Sequence, residues 1–143
     1  MDVYALVGKS GTGKSYRASN VAYELDIKYI IDDGLLIEGN KVLVGKSAKR
    51  EHTKIAAVKR ALFMNDDHNI LVREALETAR PDKILILGTS TRMIYRICDA
   101  LGIGEPKSFV FIEDIATEEE INEALESRYK QGKHVIPVPT FEI

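Results

Sequence analysis

The sequence predicts an α/β fold. It has a mostly parallel sheet of about five strands, helices on both faces, and a β-hairpin inserted at about 35–44. Three observations point there. Strand-like and helix-like segments alternate along the chain. Several strand segments are apolar at consecutive positions, as in Ile-Leu-Ile-Leu at 84–87, the pattern of strands covered on both faces. Gly39-Asn40 between two short apolar runs is a two-residue turn of the hairpin kind.

Each element has its local cause. Asp-Val-Tyr-Ala-Leu-Val at 2–7 is a short buried strand. A helix follows from Lys14, with Ala18, Val21, Ala22 and Leu25 on one stripe. Residues 28–31 form a second strand, ended by Asp32-Asp33-Gly34. The hairpin pairs 35–38 with 41–44. Residues 48–64 read as one basic amphipathic helix with Ile55, Val58 and Leu62 on one face. Asp66-Asp67 offers an N-cap for a helix over 67–79, and Arg80-Pro81 stops it. A strand at 83–87 ends in Gly88-Thr89-Ser90, and a helix over 91–101 turns Ile94, Ile97 and Leu101 inward, with Met93 and Cys98 read as packing residues. Residues 108–112 are a further strand, ended by Glu113-Asp114. Thr117-Glu118-Glu119-Glu120 is a capping box for a helix to about Lys130, and His134–Val138 is a last strand. The tail 137–143 ends in extended, apolar-alternating sequence, which suggests a chain continuing past Ile143.

Composition bounds the rest. The 143 residues are one domain's worth, taken as a single unit over 1–143. One cysteine excludes a disulfide framework and a Cys-rich zinc site. No apolar run approaches the roughly 20 residues that span a bilayer. No signal-peptide pattern opens the chain, so a reducing, cytoplasmic setting and no membrane partner are expected. The net charge is −2, and the six tyrosines form no base-stacking array, so a nucleic-acid partner is not expected. The charge is uneven. Residues 1–60 carry an excess of four positive charges and 61–143 an excess of six negative ones. Most of the positive excess lies in 41–60, which reads either as a solvated face or as a surface for an acidic acceptor or protein partner.

The strongest motif lies between the first strand and the first helix. Gly8-Lys9-Ser10-Gly11-Thr12-Gly13-Lys14-Ser15 satisfies G-x-x-x-x-G-K-[ST] at every fixed position, and both flanks fit. Glycines let successive N–H groups converge on a phosphate, and the helix N-terminus adds partial positive charge there. Lys14 is expected on the β- and γ-phosphates and the Ser15 hydroxyl on Mg²⁺. Gly45-Lys46-Ser47 lacks the upstream glycine, since Asn40 stands there, and is no second loop.

On these residues the chain resembles the P-loop NTPase superfamily throughout its strand–helix alternation. From Gly8 to about Ser47 it also resembles the core of HPr kinase/phosphorylase and its relatives: the loop, a helix, a strand ending in Asp32-Asp33, and a hairpin returning through Val44-Gly45. That resemblance implies roles for Asp32 and Asp33 in metal binding and in activating a nucleophile. The family's later signature elements, its N-terminal domain and the histidine before its loop strand have no counterpart here. The resemblance therefore implies an ATP and Mg²⁺ site rather than protein-kinase activity.

Two strand ends offer a carboxylate for that metal, Asp32-Asp33 and Glu113-Asp114. Adjacent aspartates repel unless a cation joins them, which favours the first pair. Asp-Asp-Gly is also ordinary turn chemistry. Thr89, Ser90 and Arg92 stand where ligands collect in open α/β sheets, to sense a γ-phosphate or position water. Thr89 or Ser90 serves equally well as a plain N-cap. Arg50 or Arg60 is a candidate transition-state charge. The expected function is ATP binding with Mg²⁺-dependent NTPase or phosphotransferase chemistry through Lys14, Asp32 and Asp33. The alternative is a nucleotide-sensing module with little turnover. Absence of an Asn-Lys-x-Asp motif favours ATP over GTP.

Overall fold

The computed structural model describes residues 1–115. Its strands are β1 (Asp2–Val7), β2 (Tyr29–Asp32), β3 (Leu35–Glu38), β4 (Lys41–Gly45), β5 (Lys83–Gly88) and β6 (Ser108–Phe111). The helices are α1 (Lys14–Glu24), α2 (Lys54–Ala61), α3 (Asp66–Ala79), α4 (Thr91–Leu101) and the single turn α5 (Ile112–Ile115). One six-stranded mixed sheet results, in the order β4-β3-β2-β5-β1-β6. The pairs β2–β5, β5–β1 and β1–β6 are parallel. The hairpin is no separate insertion. β3 runs antiparallel to β2 and β4 antiparallel to β3, so the hairpin extends the sheet at one edge. The expected strand at 134–138 and the helix from 117 lie outside the described residues.

Strand periodicity sorts the core into two layers. Val3, Ala5, Val7, Ile31, Ile84 and Ile86 face α3 and α4, where Val72, Leu76, Ile94, Ile97 and Leu101 meet them. Leu6, Ile30, Leu85 and Leu87 point the other way, onto Ala18, Val21 and Ala22 of α1. Helices thus cover both faces. Cys98 is packed in the first layer, and burial pushes its thiol up to about 11, far from a reactive thiolate.

Two expectations change. The single basic helix over 48–64 is broken into a 3-10 turn at Ala48–Arg50 and the short helix α2. Hydroxyl caps cause the break. Ser47 Oγ accepts from Lys49 N at 3.2 Å, and Thr53 Oγ1 accepts from Ala56 N at 3.1 Å. Ile55 and Val58 do not face inward but are 72% and 48% exposed, and only Leu62 of that trio is buried. The last described strand ends at Phe111, one residue early, and Glu113-Asp114 sits in the turn of α5 rather than at a strand end.

Candidate functional site at the sheet's carboxyl edge

The Gly8–Ser15 loop leaves β1 at the end of the sheet where β2 and β5 also finish. Gly8 N donates to Gly88 O at 3.1 Å, which ties the loop's entry to the end of β5. Lys9 O accepts from Thr12 Oγ1 at 2.6 Å and from Thr12 N at 3.2 Å, closing a turn that carries Ser10 and Gly11. Gly13 takes φ +87° as it enters α1, a left-handed conformation that favours glycine. Gly13 supplies no side-chain cap to α1, and Lys14 and Ser15 stand in the first turn of that helix.

The decisive contact joins this loop to β2. Ser15 Oγ donates to Asp32 Oδ2 at 2.9 Å, between residues 17 apart in sequence. β5 lies between β1 and β2, so only the sheet order sets this pairing. Burial pushes the Asp32 carboxyl above its ordinary value; the Ser15 hydrogen bond and the charges of Lys49 and Lys14 pull it down, while Asp33 pushes it up.

The two aspartates part company. Asp33 adopts φ +55°, and its carboxylate accepts from Ser47 Oγ instead. Its carbonyl accepts from Ala48 N at 3.0 Å. Asp32 therefore faces the loop, and Asp33 fastens the returning end of the hairpin. Gly34 and Gly45 let the backbones cross there: both have positive φ, and a Cβ on Gly45 would overlap the carbonyl oxygen of Gly34.

The remaining candidates divide. Ser90 Oγ caps α4 by accepting from Met93 N at 3.1 Å. Thr89 lies beside it, its Oγ1 donating to Met93 Sδ at 3.5 Å, and Arg92 is exposed in the first turn of α4. Glu113 and Asp114 are exposed, and no hydrogen bond joins them to the loop among the described residues. Arg60 is taken up by Glu51, its Nε and Nη2 donating to Oε1 at 3.2 and 3.1 Å, so it is not a free charge for a phosphate. Arg50 is exposed on the 3-10 turn.

Sequence reasoning missed three participants. Ser47 belongs to the discounted Gly-Lys-Ser, yet it holds Asp33. Lys49 follows on the same turn and acts on the Asp32 carboxyl. Arg17 of α1 is buried, with Nη1 donating to Ile115 O at 3.3 Å. A charged residue on the apolar stripe of α1 was the signal available for Arg17. Nothing local marks the other two.

Among the described residues, no group of three or more His, Cys, Asp or Glu side chains is placed to hold a metal. A cation here would draw on one carboxylate, one hydroxyl and oxygens from outside the protein, which is how Mg²⁺ is commonly held beside phosphates. No known family model matches the chain, and a search of curated proteins returns no match. No described helix is long and apolar enough to cross a membrane.

Proposed function

We propose that the chain is a P-loop-like protein that binds ATP with Mg²⁺ and carries out NTP hydrolysis or phosphoryl transfer. The observation that supports this most is the 2.9 Å hydrogen bond from Ser15 Oγ to Asp32 Oδ2. It joins a hydroxyl and a carboxylate, oxygens of the kind that suit Mg²⁺, at the start of α1 where Lys14 also stands. In this reading the loop amides and Lys14 bind the phosphates. Ser15 and Asp32 hold Mg²⁺ directly or through water, and the metal offsets the phosphate charge. Asp33 positions the hairpin and takes no direct part. That last feature favours a second reading, a nucleotide-sensing module, because Asp33 is committed to Ser47 and is not presented as a base.

Two variants test the proposal. Lys14→Ala is expected to lower ATP affinity at least about tenfold, roughly 1.4 kcal/mol, in a calorimetric titration. Asp32→Asn is expected to keep ATP binding in the absence of Mg²⁺ and to lose the metal's contribution and any phosphate release. Unchanged Mg²⁺ dependence in Asp32→Asn would defeat the metal assignment. Tight binding by the unmodified chain with no phosphate release selects the sensing module.

A further inference from the structure

The short helix α2 faces the wrong way for a packed helix. At about 100° per residue, its eight residues divide into two faces. Ala56, Ala57, Arg60 and Ala61 share one face, and all four are half-buried. Ile55 and Val58, three positions apart, share the other, with Lys54 and Lys59 on either side, and all four are exposed. The small residues and Arg60 thus face the protein, and the two large apolar side chains face outward. This orientation is held at both ends. Thr53 Oγ1 caps the helix start, and Arg60 is gripped by Glu51, which follows the 3-10 turn packed against α2.

The outward face is surrounded by one sign of charge. Lys49 and Arg50 are exposed on the 3-10 turn, and neither they nor Lys54 and Lys59 make an ion pair with a described residue. Glu51, the one carboxylate of this stretch, is taken by Arg60. Asp66 and Asp67 lie around the cavity beside Arg60, on the side of α2 away from Ile55 and Val58. A second copy is a poor cover for such a face, because a twofold contact sets the same cations against each other. A folded protein partner buries roughly 800 Å² on each side, more than a two-turn helix about 12 Å long presents. An anionic bilayer needs less: apolar side chains at headgroup depth and basic ones at the phosphates.

We propose that α2 docks the protein on an anionic lipid surface, with Ile55 and Val58 entering the headgroup layer and Lys49, Arg50, Lys54 and Lys59 facing the lipid phosphates. Contact of this size is reversible and needs no spanning helix, and no described helix is one. Helical spacing alone turns Ile55 and Val58 inward, so the sequence pointed away from a membrane partner. The 3-10 turn is fastened to Asp33 through Ser47 Oγ and Ala48 N, so the docking face lies on the hairpin side of the candidate nucleotide site. Docking does not depend on whether that site takes a nucleotide.

The experiment is co-sedimentation of the full chain with vesicles of phosphatidylcholine, alone or with about 30% phosphatidylserine, with ATP affinity measured in parallel. Binding to the anionic vesicles is expected to be at least about tenfold tighter than to phosphatidylcholine alone, and to weaken with salt. Ile55→Ser should lower it about tenfold, and Lys54→Gln with Lys59→Gln by at least as much, with thermal melts and ATP affinity unchanged. Spin-labelled lipid should broaden the methyl resonances of Ile55 and Val58 and spare those of Ile86. The proposal is overturned if the anionic vesicles do not bind, if phosphatidylcholine alone binds equally, or if Ile55→Ser binds like the unmodified chain. Binding of poly-L-glutamate without binding of vesicles also overturns it and assigns the face to an acidic protein. Loss of ATP binding with vesicle binding intact removes the nucleotide reading alone.

Discussion

The parallel part of the sheet and the hairpin part are held by different forces. In β5 every residue from Ile84 to Gly88 is buried, and helices pack on both faces of the strand. In β4 the first three residues are exposed, and α2 buries none of its own. The hairpin is instead fastened at its root by polar contacts and close backbone crossings: Asp33 with Ser47, His68 with Gly34, and Gly34 against Gly45. The parallel half is a scaffold stabilised by buried apolar area, which is insensitive to local detail. The hairpin half depends on a few directional contacts, each adjoining the candidate site.

The sharpest test of that contrast is a cavity in the scaffold. Ile86→Ala should cost about 2–5 kcal/mol in denaturant unfolding, because Ile86 is fully buried between β1 and β2 and the site cannot collapse. A cost near zero would place the core elsewhere.

Next comes the hairpin root. Ser47→Ala removes the hydroxyl that Asp33 and Lys49 N share, and should cost about 1–3 kcal/mol. Hydrogen exchange should rise at Ala48 and Lys49 while β5 stays protected; uniform loosening of the chain would show that the two halves are one unit.

A smaller effect is set by His68. Burial is the main cause that holds its ring below the ordinary value of 6.5, with the charges of Arg60 and Lys46 acting in the same sense. A depressed folded-state pKa gives stability that is present above 6.5 and lost as pH falls through the lower folded value. Thermal melts should therefore drop on acidification below 6.5, and His68→Gln should flatten that slope. Identical slopes would remove His68 from the account. Asp32 has the opposite sign. Its raised pKa means that the ionised carboxylate opposes folding at neutral pH, so Asp32→Asn should leave the nucleotide-free chain as stable as before or slightly more so. The smallest change belongs to the exposed face of α2, where Ile55→Ser should move stability by no more than about 0.5 kcal/mol.

Much of the scaffold was legible because its signals are local. The apolar runs at 2–7 and 84–87 could be covered only on both faces, and Gly39-Asn40 specified its own turn. The helix over 91–101 came out at those bounds. The region 48–64 misled because Ile55, Val58 and Leu62 have helical spacing, yet the caps Ser47 and Thr53 divide the segment before that stripe can reach the core. In the candidate site the Gly8–Ser15 loop could be read as a string. The separate duties of Asp32 and Asp33 could not, because adjacent residues look equivalent until one enters a left-handed turn.

The sequence by itself determined the elements of the parallel core, the loop with its lysine and serine, and the hairpin. Each follows from periodicity or turn chemistry within a few residues. Only the tertiary structure decided that Ser15 meets Asp32, that Asp33 turns to Ser47, and that the His68 ring meets Gly34 O. Those contacts join residues 14 to 34 positions apart, and they exist because of the strand order and the antiparallel return of the hairpin. Strand order is a property of how separate segments pack, and no single segment encodes it.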